Sequence, residues 1–221
     1  MAVSLKQYDE SVFINCPFDR DYSALFDAIV FTIMDCGFRP VSARERMNSA
    51  DVRLDKIVNL IRDSRYSIHD LSRTEADEKY SLPRFNMPLE LGIALGCAKF
   101  GSARQRRKSV LILDRRQFRY QKFVSDISGQ DIKEHKNRPP FAIEAVRNFL
   151  RTESGLADIH GWEYIGRRYR KFKRDLPAIA RVGHLNPSKL TYVDYCEMIK
   201  RWLDLTLEAE TLAKRRGHRP T

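Results

Sequence analysis

Two carboxylates and an arginine in this chain are of types that can do chemistry at the end of a sheet. A carboxylate can act as nucleophile or as general acid and base, and a guanidinium can hold phosphate. Glu90 and Asp70 are the candidates for these roles, and Arg44 is the candidate phosphate holder. Glu90 lies in Asn86-Met87-Pro88-Leu89-Glu90-Leu91-Gly92-Ile93-Ala94-Leu95-Gly96. Proline pre-sets the backbone for a first helical turn, so a helix is expected from Met87 or Pro88, with Asn86 as its cap. Gly92 and Gly96 fall four apart, where a helix can press against a sheet. Glu90 in the first turn then either completes a capping box or does chemistry. Asp70 likewise either caps the turn after its strand or works beside Glu90.

The surrounding chain must place these residues at one edge. Apolar runs at 11–16, 38–43, 66–71 and 109–114 read as strands. Helical periodicity covers 21–36, closed by Gly37, and 51–63, where Asp51 caps a face of Leu54, Ile57, Val58 and Ile61. The Glu90 helix runs to about Phe100. Strand and helix alternate with crossovers long enough for right-handed βαβ units. The expected fold is therefore α/β: a flavodoxin/Rossmann-like parallel sheet of about four to five strands flanked by helices. Residues 117–137 are polar and irregular, and Pro139-Pro140 marks a boundary. Helices alone are expected afterwards, over 141–153, 162–174, a short piece after Pro177, and 191–214. The domains are thus 1–138, an α/β unit, and 139–221, a basic helical subdomain.

Ligands of an open parallel sheet bind beyond the carboxyl ends of its strands. Those ends carry Phe18 and Asp19, Arg44, and Asp70 with Ser72; the helix start adds Asn86 and Glu90. Arg46 and Arg53 are more remote phosphate candidates. His69 alternates to the strand face opposite Asp70, where a satisfied core histidine is expected. His160 and His184 have no metal-like companions, and no metal site is expected.

Composition narrows the partners. The 221 residues carry a formal charge of +11, with 43% hydrophobic and 10% aromatic residues. That is enough apolar material for a core, and a charge balance that favours anionic partners. Cys16, Cys36, Cys97 and Cys196 show no CxxC or zinc spacing and read as thiols in a reducing compartment. No basic-then-apolar leader opens the chain, and no run reaches the roughly 18 apolar residues of a membrane span. A cytoplasmic location without membrane contact is expected, and homo-oligomerisation stays open.

The order Pro17-Phe18-Asp19, Ala43-Arg44, Asp70-Leu71-Ser72 and Asn86-x-Pro88-x-Glu90-Leu91-Gly92-x-Ala94 resembles the nucleoside 2-deoxyribosyltransferase-like superfamily. That superfamily is related in architecture to TIR-type NAD-cleaving domains. The resemblance spans roughly residues 12–113. It implies that Glu90 attacks the anomeric carbon, that Asp70 assists at base or sugar, and that Cys16-Pro17-Phe18 lines a nucleoside pocket. The 72–85 loop and the helical half depart from the transferase pattern. Related domains with helical extensions resemble effectors of bacterial anti-phage defence, including retron-associated ones, which cleave NAD or nucleotides. No cofactor is implied, NAD being a candidate substrate.

The strongest basic run is 167–174, where Arg167, Arg170, Lys171 and Arg174 share a helical face that could track a phosphate backbone or meet a protein. Tyr169 and Phe172 within it read as core anchors. A second basic cluster, 104–108, precedes the fourth strand. Three functions follow: an N-glycosidic hydrolase, a base-exchanging deoxyribosyltransferase, or a non-catalytic module that binds nucleotide or nucleic acid.

Overall fold

A computed structural model describes residues 3–45, 48–74 and 85–217, with side chains to residue 211. The strands are β1 (Ser11–Asn15), β2 (Arg39–Ser42), β3 (Tyr66–Asp70), β4 (Ser109–Asp114) and β5 (Lys133–Glu134). All neighbours pair in parallel in the order β2-β1-β3-β4-β5, the flavodoxin-like winding. Every residue of β1 and β3 is buried, as strands covered on both faces require. Pro40 sits in β2, at one edge of the sheet, where a missing N–H costs no ladder bond. The register sets Asn15 beside His69, and Asp70 beside Leu113, so the carboxyl ends of the central strands finish together.

The helices are α1 (Leu5–Glu10), α2 (Ser23–Asp35), α3 (Arg53–Arg62), α4 (Asn86–Phe100), α5 (Pro139–Ser154), α6 (Trp162–Val182) and α7 (Tyr192–Gly217). On one face of the sheet, Ile57 and Ile61 of α3 and Ala94 of α4 pack with Phe13 and Val41. The other face carries α2 and α5, and α6 and α7 lie against α2. Squeezed between sheet and helices, α2 is buried nearly all round, from Leu25 to Ile33. Phe31 is its hub: it stacks on Phe172 of α6 at 5.3 Å and lies 5.8 Å from Trp202 of α7. One apolar core therefore runs from β1 through α2 into α5, α6 and α7, across the expected boundary at 138/139.

Several local expectations shift. Leu54 and Val58 are exposed, and α3 turns Ile57 and Ile61 inward, with Leu60 half-buried against the same cluster. Asp51 does not cap α3; it accepts a hydrogen bond from the Asn48 amide instead. Pro177 does not break α6. Leu176 and Ala180 on either side are buried, and their packing outweighs the lost backbone bond. An added Cβ at Gly92 or Gly96 meets nothing within 4 Å among the described residues, so these glycines do not mark a close approach. The stripe that faces inward is Met87, Glu90, Leu91 and Ala94, at spacings of three and four. Gly37 closes α2 as expected, at φ 84°, where a side chain would be strained. Thr191 and Asp194 exchange hydrogen bonds as a capping box that starts α7.

Candidate active site at the carboxyl edge of the sheet

Asp70, the last residue of β3, is 0% exposed and fixed from three sides. The Tyr22 hydroxyl donates to its Oδ2 at 2.7 Å, and the Ser72 backbone N–H donates to Oδ1 at 2.8 Å. His135 Nε2, arriving from just beyond β5, lies 3.0 Å from Oδ2. His135 Nδ1 accepts from the Asn137 N–H at 3.0 Å, which fixes the ring, while Nε2 stands close to the carboxylate without a hydrogen bond of good geometry. Left-handed backbone at Lys136 and Asn137 (φ 53° and 54°) makes that return. Burial pushes the Asp70 carboxyl up, but His135 and Ser72 outweigh it and hold it below the ordinary value. Asp70 is thus a fixed negative charge beneath the edge. It also caps its own turn, through Ser72.

Glu90 has the opposite character. It sits in the apolar stripe of α4 at 5% exposure and makes no hydrogen bond or salt bridge among the described residues. The capping-box role does not occur: Phe85 holds the cap position, without a side-chain cap bond. Asn86 is not the cap either; it is the first helical residue and is exposed. Burial pushes the Glu90 carboxyl from 4.5 up to about 7, against a smaller downward pull from Arg53. A carboxyl pushed up to about 7, with no partner among the described residues, is a candidate for chemistry.

Cys16 shows which residues converge. Its buried thiol is pushed up by burial and then feels the charges of Asp70, Arg44, Glu90 and Asp19. Four of the sequence-predicted residues thus lie within electrostatic reach of one sulfur just past β1. Arg44 itself is exposed, its guanidinium 4.8 Å from the ring centre of half-buried Phe18 and 5.4 Å from that of Phe26. This aromatic shelf holds the cation at the rim. Asp19 accepts from the Tyr22 N–H at the start of α2 and pairs with Arg73. The Ser72 hydroxyl is buried close to Asp70 and makes no hydrogen bond of good geometry among the described residues.

Asn15 joins three elements: its amide lies 3.0 Å from His69 Nδ1 and donates to the Met87 carbonyl at 3.1 Å. The start of α4, and with it Glu90, is therefore pinned to β1 and β3. His69 is buried as expected, but only its Nδ1 is satisfied; among the described residues Nε2 has no partner, nor has Asn15 Oδ1. Burial drives His69 down to about 3, so the ring is neutral.

Arg46 lies outside the described residues. Arg167, Arg170, Lys171 and Arg174 are exposed on α6, while Tyr169 and Phe172 point into the core as anchors. These cations are not among the charges that reach Cys16. Among the described residues no three His, Cys, Asp or Glu side chains gather as metal ligands would, and no helix is long and apolar enough to cross a membrane. All four cysteines are free thiols.

Sequence reasoning passed over Tyr22, His135 and Asn15. Tyr22 reads as a helix start, and His135 stands in a polar stretch beside a two-residue strand too short for a periodic signal. Asn15 is an ordinary strand end until Met87 is brought against it. No protein-family model, curated protein or solved structure matches the chain.

Proposed function

We propose that this chain hydrolyses an N-glycosidic bond of NAD or a related nucleotide. The observation that carries the proposal is Glu90: a buried carboxyl without a partner among the described residues, pushed up to about 7, at the sheet edge where ligands of this fold bind. In its ionised form it attacks C1′ of the ribose while the C1′–N bond breaks and the electron pair goes to the base. Nicotinamide leaves as a neutral molecule, so the departing base needs no general acid. Water then displaces Glu90 from C1′ and releases a proton. Asp70, held ionised by Tyr22, His135 and Ser72, fixes the negative field under the reacting sugar. Arg44 on its aromatic shelf holds phosphate, and the buried Ser72 hydroxyl is a donor for substrate oxygen.

The motif resemblance extends the proposal to a toxic effector of anti-phage defence. The exposed cations of α6 would then serve a nucleic-acid or protein partner. The test is incubation of the protein and Glu90→Gln with NAD and with deoxynucleosides, following free base by chromatography. Nicotinamide release that falls at least ~100-fold in the variant is the expected result. Equal release by both proteins overturns the role of Glu90. A new nucleoside formed on adding free base replaces hydrolysis with base exchange.

A further inference from the structure

A groove of about 910 Å³ runs along the β4 side of the sheet, away from the residues gathered around Cys16. Its floor is the edge of β4 from Ser109 to Leu111. One wall is the face of α5 carrying Phe141, Ala145 and Phe149, and residues 131–134 close one end. The edge is open because β5 is only two residues long and covers β4 at Leu113 and Asp114 alone. In a parallel ladder alternate residues face alternate neighbours. The Ser109 N–H and the Leu113 carbonyl are bonded toward β3, and the Asp114 carbonyl toward β5. The N–H and carbonyl of Val110 and the N–H of Ile112 therefore point outward, with no strand beside them among the described residues.

Exposed edges invite pairing, and proteins blunt them with proline and charge. The opposite edge follows that rule, since β2 carries Arg39 and Pro40. The open stretch of β4 has neither. Lys108, placed to guard it, turns inward and gives its ammonium to the Ile61 and Ser64 carbonyls. Charge then selects the visitor. Asp131, Glu134, Glu144 and Glu153 line the groove; Asp131 is paired with Lys133 and Glu134 with Lys136, so Glu144 and Glu153 on α5 carry its acidic character, on a chain of net charge +11. Two copies meeting edge to edge would press these acidic walls together.

We infer that the open edge of β4 and the acidic, half-apolar groove beside it bind an extended basic segment of a partner protein, which pairs as an added strand. Its backbone bonds to Val110 and Ile112, alternate apolar side chains rest on Phe141, Ala145 and Phe149, and its cations meet Glu144 and Glu153. The site is separate from the proposed catalytic edge and stands whether or not the chain is an enzyme.

The experiment titrates the full chain with a fluorescein-labelled nine-residue peptide that alternates valine with lysine and arginine, and measures anisotropy. Saturable binding is expected. It weakens at least ~10-fold in Glu144→Lys/Glu153→Lys, whose sites are at the surface, and is lost for the fully N-methylated peptide. Val110→Pro removes an outward N–H and leaves the ladder to β3 intact, so it weakens binding with little change in melting temperature. Absence of saturable binding overturns the inference. So does equal binding of the N-methylated peptide, or of a counterpart with glutamate for lysine and arginine. Concentration-dependent self-association that Val110→Pro abolishes would make the occupant a second copy and overturn it as well.

Discussion

Glu90 and His69, both buried near the carboxyl edge, couple folding to pH with opposite signs. An unfolded chain ionises Glu90 near 4.5, whereas the folded chain holds the proton to about 7. The stability it contributes is complete below 4.5 and is lost as pH rises through about 7. Glu90→Gln keeps the shape and removes the ionisation. It should therefore raise stability at pH 8 by about 1–3 kcal/mol in urea unfolding, and change it little at pH 4. On the proposed mechanism, in which ionised Glu90 is the nucleophile, the wild-type rate of base release should climb with pH through about 7. A rate that falls over that range would assign Glu90 to proton donation instead. His69 favours neutrality: its folded value near 3 lies below the ordinary 6.5, so its contribution is present above 6.5 and lost as pH falls toward 3.

At the scale of elements, Asp70 ties α2, β3 and the chain after β5 into one unit, because Tyr22 and His135 reach it from distant parts of the sequence. Removing an ionised acceptor from buried donors costs more than the bonds are worth in isolation, since the donors stay dry and unpaired. Asp70→Asn should cost about 2–4 kcal/mol in urea unfolding. Tyr22→Phe should cost less, and the double variant should fall short of the sum by about 1 kcal/mol. Additive losses would show that the groups act separately. The strand carrying Asp70 is legible from its apolar run, and the α4 start from Pro88. The partners are not legible. Periodicity reports which face of an element is apolar, but not which distant hydroxyl or imidazole will reach it. For the same reason the sequence misplaces the α3 face and the cap of α4, and breaks α6 at Pro177, where packing on α2 and α7 overrides a local rule.

Across the whole molecule, the helical half shares its core with the sheet rather than resting on it. Phe31 meets Phe172 and Trp202, and Arg168 of α6 bonds Asp35 at the end of α2 at 3.0 Å. A fragment of residues 1–138 would expose the outer side of α2 and lose α5 from the sheet. It should show no cooperative thermal transition, and a weakened near-ultraviolet circular dichroism signal. A cooperative transition in that fragment would make the two halves independent. The amino-acid order alone determined the alternation of strands and helices, the parallel sheet that follows from right-handed crossovers, and the gathering of Glu90, Asp70, Arg44 and Asp19 at one edge. Those are consequences of local period and chain topology. Only the tertiary structure decided that, among the described residues, Asp70 is held by Tyr22 and Ser72 beside His135 while Glu90 is buried without a partner, and that half of the β4 edge has no strand beside it. Burial and long-range partners set those features, because the free energy of a charge or a backbone amide depends on what surrounds it in space.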